Sequence, residues 1–237
     1  MGKEPRSDIV LGMRAGLPVA VGYVPMAVAF GVLAAQAGLT FLQAAAMSVF
    51  VYAGASQYAA LGLIAGGASA AAIVLATLVL NFRHFLMSVA LSRRLPLRRT
   101  GAGAWAAPLG LGFGITDETF VVASLDDALT PRFFFGLILT AYLAWVGGTL
   151  IGAGFSSLIP PLMARGMGVA LYAMFVAMLV PGVRKKMVNG LVAVLGGGVS
   201  WAATLALPSF PGGWRVVIAI LAASAIGAFV SRREAEA

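Results

Sequence analysis

The chain has 237 residues, 61% hydrophobic and 10% charged, with a mean hydropathy of +0.98 and a net charge of +8. Soluble domains carry about 25% charged residues, and a fold of this size leaves much of its surface in water, so a soluble globule is excluded. Cysteine is absent, which excludes disulfides, thiolate catalysis and cysteine metal sites. The apolar runs are long and rich in Gly and Ala rather than short and alternating. That argues against a membrane β-barrel and for an all-α polytopic membrane protein packed through small residues.

In chain order, apolar segments fall near 9–36, 42–66, 69–92, 102–126, 132–156, 166–183, 187–207 and 214–231. A bilayer span needs about 20 residues, so eight membrane segments fit, joined by short loops within a single membrane domain over 1–237. The first is too long for a signal-peptide core and contains Pro18 and Pro25, so it reads as a membrane helix. Pro and Gly punctuate the ends: Gly66-Gly67, Pro96, Pro131, Pro160-Pro161, Pro181-Gly182 and Pro208 to Gly213. Basic residues cluster at Lys3/Arg6, Arg93/Arg94/Arg98/Arg99, Arg184/Lys185/Lys186 and Arg232/Arg233. This is the signature of cytoplasmic loops and needs no nucleic-acid partner.

Eight simple crossings would put Lys3/Arg6 and the Arg93–Arg99 cluster on opposite faces. The conflict disappears if 42–66 and 102–126 are broken or re-entrant. Each has a central interruption of small and polar residues, Ala53–Gln57 and Gly112–Thr119. Broken backbone is tolerated at membrane depth only where protein or a wet cavity satisfies it. The expectation is six full crossings, two broken segments and both termini cytoplasmic; eight ordinary helices are the alternative.

Intramembrane charge marks the chemistry. Arg83, Asp117 and Glu118 lie deep in apolar segments, joined by His84, the one histidine. A charge at the bilayer centre costs at least about 2.5–3.5 kcal/mol and normally finds a partner. Arg83 stands ten residues before Arg93, roughly 15 Å of helix, too far to snorkel fully. Arg83 is therefore expected to pair with Asp117 or Glu118, either to fix packing or to serve a site where a helix break frees backbone groups. Asn81, His84, Phe85 and Ser88 share one helix face by spacing; His84 reads as a packing histidine or a proton relay. Gly54, Ser56 and Gln57 of "YAGASQ" offer close helix contact or neutral hydrogen bonds to a ligand. One histidine cannot build a multi-histidine metal site, and neither a P-loop nor GxGxxG occurs, so no metal or cofactor is expected. A Ser56–His84 hydrolase dyad lacks any marked oxyanion hole, and the chain reads as a non-enzyme.

The stretches "PVAVGYVPMAVAFGVLAAQAG", "AGASQYAALGLIAGG", "LNFRHFLMSVAL" and "GITDETF" stand in this order and resemble the AzlC family of branched-chain amino acid permeases, over about Leu11 to Ala228. The resemblance implies export of branched-chain amino acids, with methionine linked to related members, across the bacterial plasma membrane alongside a small AzlD-type membrane subunit. The expected substrate-site residues are Gly54, Ser56, Gln57, Asn81, Thr116, Asp117 and Glu118, with Arg83, His84, Asp117 and Glu118 for ion pairing or proton coupling. An intramembrane hydrolase and a non-transporting scaffold are the rival readings.

Overall fold

The structure, a computed structural model, describes residues 5–95, 106–126, 129–160, 163, 176, 179–180, 183–184, 187–206, 222–223 and 225–227. Lys3, Arg98, Arg99, Lys185, Lys186, Arg232 and Arg233, and most of segments 166–183 and 214–231, lie outside the described residues. Every regular element among the described residues is helical: α1 (Pro5–Gln36), α2 (Phe41–Phe50), α3 (Gly54–Ala65), α4 (Ala70–Ser92), α5 (Ala106–Phe113), α6 (Asp117–Ser124), α7 (Pro131–Gly154), a 3-10 turn (Ser156–Leu158) and α8 (Met187–Ala206). Three helices among them are long and apolar enough to cross a membrane: Asp8–Gln36, Ala70–Ser92 and Pro131–Gly154. These match the first, third and fifth segments of the sequence. The second and fourth are each divided into two helices, so a count of eight spans does not emerge from the described residues.

The chain divides into two compact units. One comprises Met1–Tyr58 with Leu80–Gly168, the other Ala59–Val79 with Val169–Ala237. In the second, α8 packs closely on helical residues 225–227: a Cβ on Gly227 would overlap the Val192 side chain, and Gly196 faces Ala223.

The frame of the first unit is the pair α1 and α7. Gly12 and Gly16 of α1, and Gly148 and Gly152 of α7, stand four residues apart, the small-xxx-small spacing that lets helix backbones touch. They do touch. A Cβ on Gly12, Gly31, Gly136 or Gly152 would overlap the backbone of the facing helix, and one on Gly148 would stand 3.0 Å from the Val24 carbonyl oxygen. The contacts climb both helices together, from Ile9 beside Gly136 to Val28 beside Gly152, so α1 and α7 run parallel. Thr130 caps α7 by accepting from the Phe133 N–H at 3.1 Å and donates to Asp8 of α1, also at 3.1 Å, tying the two starts together.

Between them sit the interrupted segments. α2 begins at a capping box in which Thr40 and Gln43 satisfy each other's backbone N–H groups, at 3.2 and 2.8 Å. It ends before Tyr52, whose φ of +43° reverses the chain. The helix then resumes at Gly54, four residues earlier than an interruption over Ala53–Gln57 implies, because the Ala53 carbonyl already accepts the Gln57 N–H at 2.9 Å. Gln57 Nε2 comes back to Ser48 Oγ at 3.0 Å, so the start of α3 lies beside the end of α2 and the break is a tip. The Val49 carbonyl, near the end of α2, is taken by the Tyr142 hydroxyl at 3.0 Å, the kind of internal partner a break in an apolar phase demands.

The second interruption spans Gly114 to Thr116, shorter than the expected Gly112–Thr119 because Thr116 caps a new helix at Asp117. Its far end is closed by Arg94, whose guanidinium donates to the carbonyls of Ser124 and Asp126 at 3.0 and 2.8 Å. The two interruptions meet in a ring cluster: Tyr52 lies 5.9 Å from Phe113 and 5.0 Å from Tyr142 between centroids. Beside it, an apolar cleft of about 420 Å³ between α5 and α7 is lined by Leu111, Phe113, Phe135, Ile138 and Tyr142.

Candidate functional site

The site is built on the stretch Gly114–Thr119. Gly114 is required for packing, since a Cβ there would overlap the Ile138 side chain. Thr116 is extended and accepts the Thr119 N–H at 3.3 Å. Thr119 Oγ1 in turn receives the Thr116 N–H at 2.8 Å and donates to the Gly114 carbonyl at 3.0 Å. The buried hydroxyls thus re-satisfy the broken backbone. Asp117 and Glu118 follow at once, in the first turn of α6, where the partial positive charge of a helix start favours carboxylates.

The two carboxylates have different company. Asp117 Oδ2 lies 2.8 Å from Arg83 Nη1 of α4 in a charge-assisted contact. Glu118 Oε2 accepts from the Tyr23 hydroxyl at 2.5 Å, and the same hydroxyl lies 2.7 Å from Thr116 Oγ1. Tyr23 sits in the middle of α1 and rests its ring edge-on against Trp145 of α7, 5.3 Å between centroids.

The remaining expected residues fall into two groups. Asn81 and His84 are half-buried on α4 beside Arg83. His84 Nδ1 engages the Asn81 carbonyl at 3.2 Å, and Ser88 Oγ donates back to the His84 carbonyl at 2.7 Å. Phe85, placed on that face by spacing, is 61% exposed. Gly54, Ser56 and Gln57 belong to the frame of the first tip. Gly54 admits the Trp145 indole, Ser56 Oγ donates to the Ala53 carbonyl at 2.9 Å, and Gln57 is held at both ends of its amide, by Ser48 Oγ and by Trp145 Nε1 at 3.0 Å. Ser48 extends that network to Thr149 at 2.7 Å. Ser56 and His84 each bond their own helix rather than one another, which is not the arrangement of a nucleophile with its base.

Three buried polar atoms among the described residues have no hydrogen-bond partner: Tyr52 Oη, Asn81 Oδ1 and Arg83 Nε. Buried polar groups are normally paired, and two of these atoms belong to Arg83 of the ion pair and to Asn81 two residues before it. Sequence reasoning passed over Tyr23, Tyr52 and Trp145. The available signal was a polar-tipped aromatic in an otherwise aliphatic stretch, Tyr23 between Pro18 and Pro25, and Tyr52 opening "YAGASQ".

A polytopic helical protein with an ion pair and unpaired polar atoms beside a helix break has the form of a membrane protein that handles polar cargo. The chain belongs to the AzlC protein family, whose profile matches residues 18–159. It is similar to an uncharacterized membrane protein of Archaeoglobus fulgidus, 34% identical over 193 residues covering 81% of this chain and 82% of the relative. The inner membrane protein YgaZ of Escherichia coli is 29% identical over 207 residues, 83% of this chain and 82% of its own. The branched-chain amino acid transport protein AzlC of Bacillus subtilis is 25% identical over 186 residues, 74% of this chain and 69% of its own. No solved structure matches the chain.

Proposed function

We propose that this chain is a secondary transporter that exports branched-chain amino acids, with methionine as a further substrate, across the bacterial plasma membrane. Proton coupling and a small AzlD-type partner subunit belong to the same reading, as do two re-entrant segments and cytoplasmic termini. The observation that carries it is the placement of the Arg83–Asp117 pair, 2.8 Å apart, beside Glu118 at the start of a half-helix in a chain of the AzlC family. Half-helix starts and ionic side chains at a break are how transporters hold zwitterions away from water.

In this reading Asn81, Thr116, Asp117 and Glu118 line the substrate site, Gly54, Ser56 and Gln57 form its wall, and Arg83 and His84 adjust charge there as protons and substrate exchange. The apolar cleft between α5 and α7 has Phe113 and Tyr142, the rings that flank Tyr52, in its lining, which suits an aliphatic side chain close to a polar head.

Reconstitution tests it. Purified chain in liposomes, with and without the small subunit, is expected to release preloaded leucine, faster when an inward proton gradient is imposed. Glu118→Gln is expected to abolish the gradient effect. Absence of leucine flux in both preparations would reject the exporter reading in favour of a scaffold role.

A further inference from the structure

We propose that Glu118 and Tyr52, rather than Asp117, hold the cationic end of the transported molecule, a primary ammonium group. This rests on the transport reading and deepens it. Asp117 already has its cation, Arg83, at 2.8 Å. Among the described residues Glu118 has none: its hydrogen-bond partner there is the neutral Tyr23 hydroxyl, bound through Oε2. Glu118 is half-buried, a carboxylate partly withdrawn from water without a counter-charge is costly, and a bound ammonium supplies that charge.

Tyr52 supplies the second ligand. It is 2% exposed, its hydroxyl is buried and unpartnered, and its backbone sits in the left-handed region. A non-glycine residue rarely adopts that conformation, and such strain is concentrated at functional sites. Phe113 and Tyr142 hold its ring from two sides, and Phe113 ends α5 immediately before the break from which Glu118 follows. An ammonium can donate one N–H to Glu118 and another to Tyr52 Oη, so a single ligand meets both the missing charge and the missing hydrogen bond.

Tyr52→Phe is the informative variant, because it removes a hydroxyl that bonds nothing and therefore should not lower the unfolding temperature. Binding is read by ligand-dependent thermal stabilisation of the detergent-solubilised full chain. Leucine and 3-methylbutylamine are expected to stabilise the wild type, whereas 4-methylpentanoate, which lacks the ammonium, is not. In Tyr52→Phe the midpoint concentration for both amines should rise about tenfold, the loss of one hydrogen bond to a charged group. Equal midpoints in wild type and Tyr52→Phe overturn the assignment, as does a wild type that neither amine stabilises. Intact amine binding with no leucine flux in liposomes overturns the transport reading instead.

Discussion

Arg83 and Asp117 illustrate how an ion pair in an apolar chain constrains mutation. Removing one partner strands the other charge in a poor solvent, which costs more than the pair itself contributes. Arg83 remains 37% exposed and Asp117 19%, so the penalty is moderated by residual hydration. Asp117→Asn and Arg83→Gln are each expected to destabilise by about 1–3 kcal/mol. The double substitution should recover part of that, because neither charge is then unpaired. A double-mutant cycle on unfolding temperatures in detergent measures the coupling, and strict additivity would show that the two groups do not interact in the folded chain. That Arg83 would find an acidic partner was legible in the sequence, because the expense of buried charge is a property of composition alone. The engagement of Gln57 was not. Its partners Ser48 and Trp145 lie 9 and 88 residues away in the chain, and hydrogen bonding at such a distance leaves no local pattern.

At the scale of elements, the helix boundaries follow capping chemistry. Thr40-x-x-Gln43 and Thr130-Pro131 are start signals readable directly. Thr116-x-x-Thr119 is not the usual acidic box, which is one reason the second interruption looked longer in the sequence than it is. The parallel α1–α7 pair was signalled by glycines spaced four apart, but spacing does not say which helix faces which. The packing makes an opposed pair of predictions. Gly152→Ala drives a methyl into the backbone at Val28 and should destabilise by about 1–3 kcal/mol or more. Gly22→Ala, on the same helix pair but with nothing within 4 Å of the new Cβ, should stabilise by up to about 1 kcal/mol through helix propensity. Thermal unfolding of the two variants tests the close approach; equal effects would mean that α1 and α7 do not touch at Gly152.

For the molecule as a whole, the proposed topology turns on how often the chain crosses the membrane before Arg94. Arg94 closes the end of α6. Leu91 and Leu95 share a core with Leu129 and Phe134, and Thr130 bonds Asp8. The end of α4 and the starts of α1 and α7 therefore lie at one end of their unit. In the proposed topology a chain that leaves this end along α1 and returns to it along α4 makes no net crossing between those helices, and the break at Tyr52 supplies the turn. In the proposed topology the charge bias of membrane loops puts that end, with Arg93 and Arg94, on the cytoplasmic side. The absence of cysteine makes the test direct, because one introduced thiol is the only target for a maleimide. Ser69→Cys, exposed before α4, is expected to react with an impermeant maleimide in intact cells, whereas Ser92→Cys, exposed at the other end of α4, should react only after permeabilisation. Labelling of Ser69→Cys from the cytoplasmic side alone would mean that residues 42–66 cross the bilayer, and the re-entrant reading would be lost.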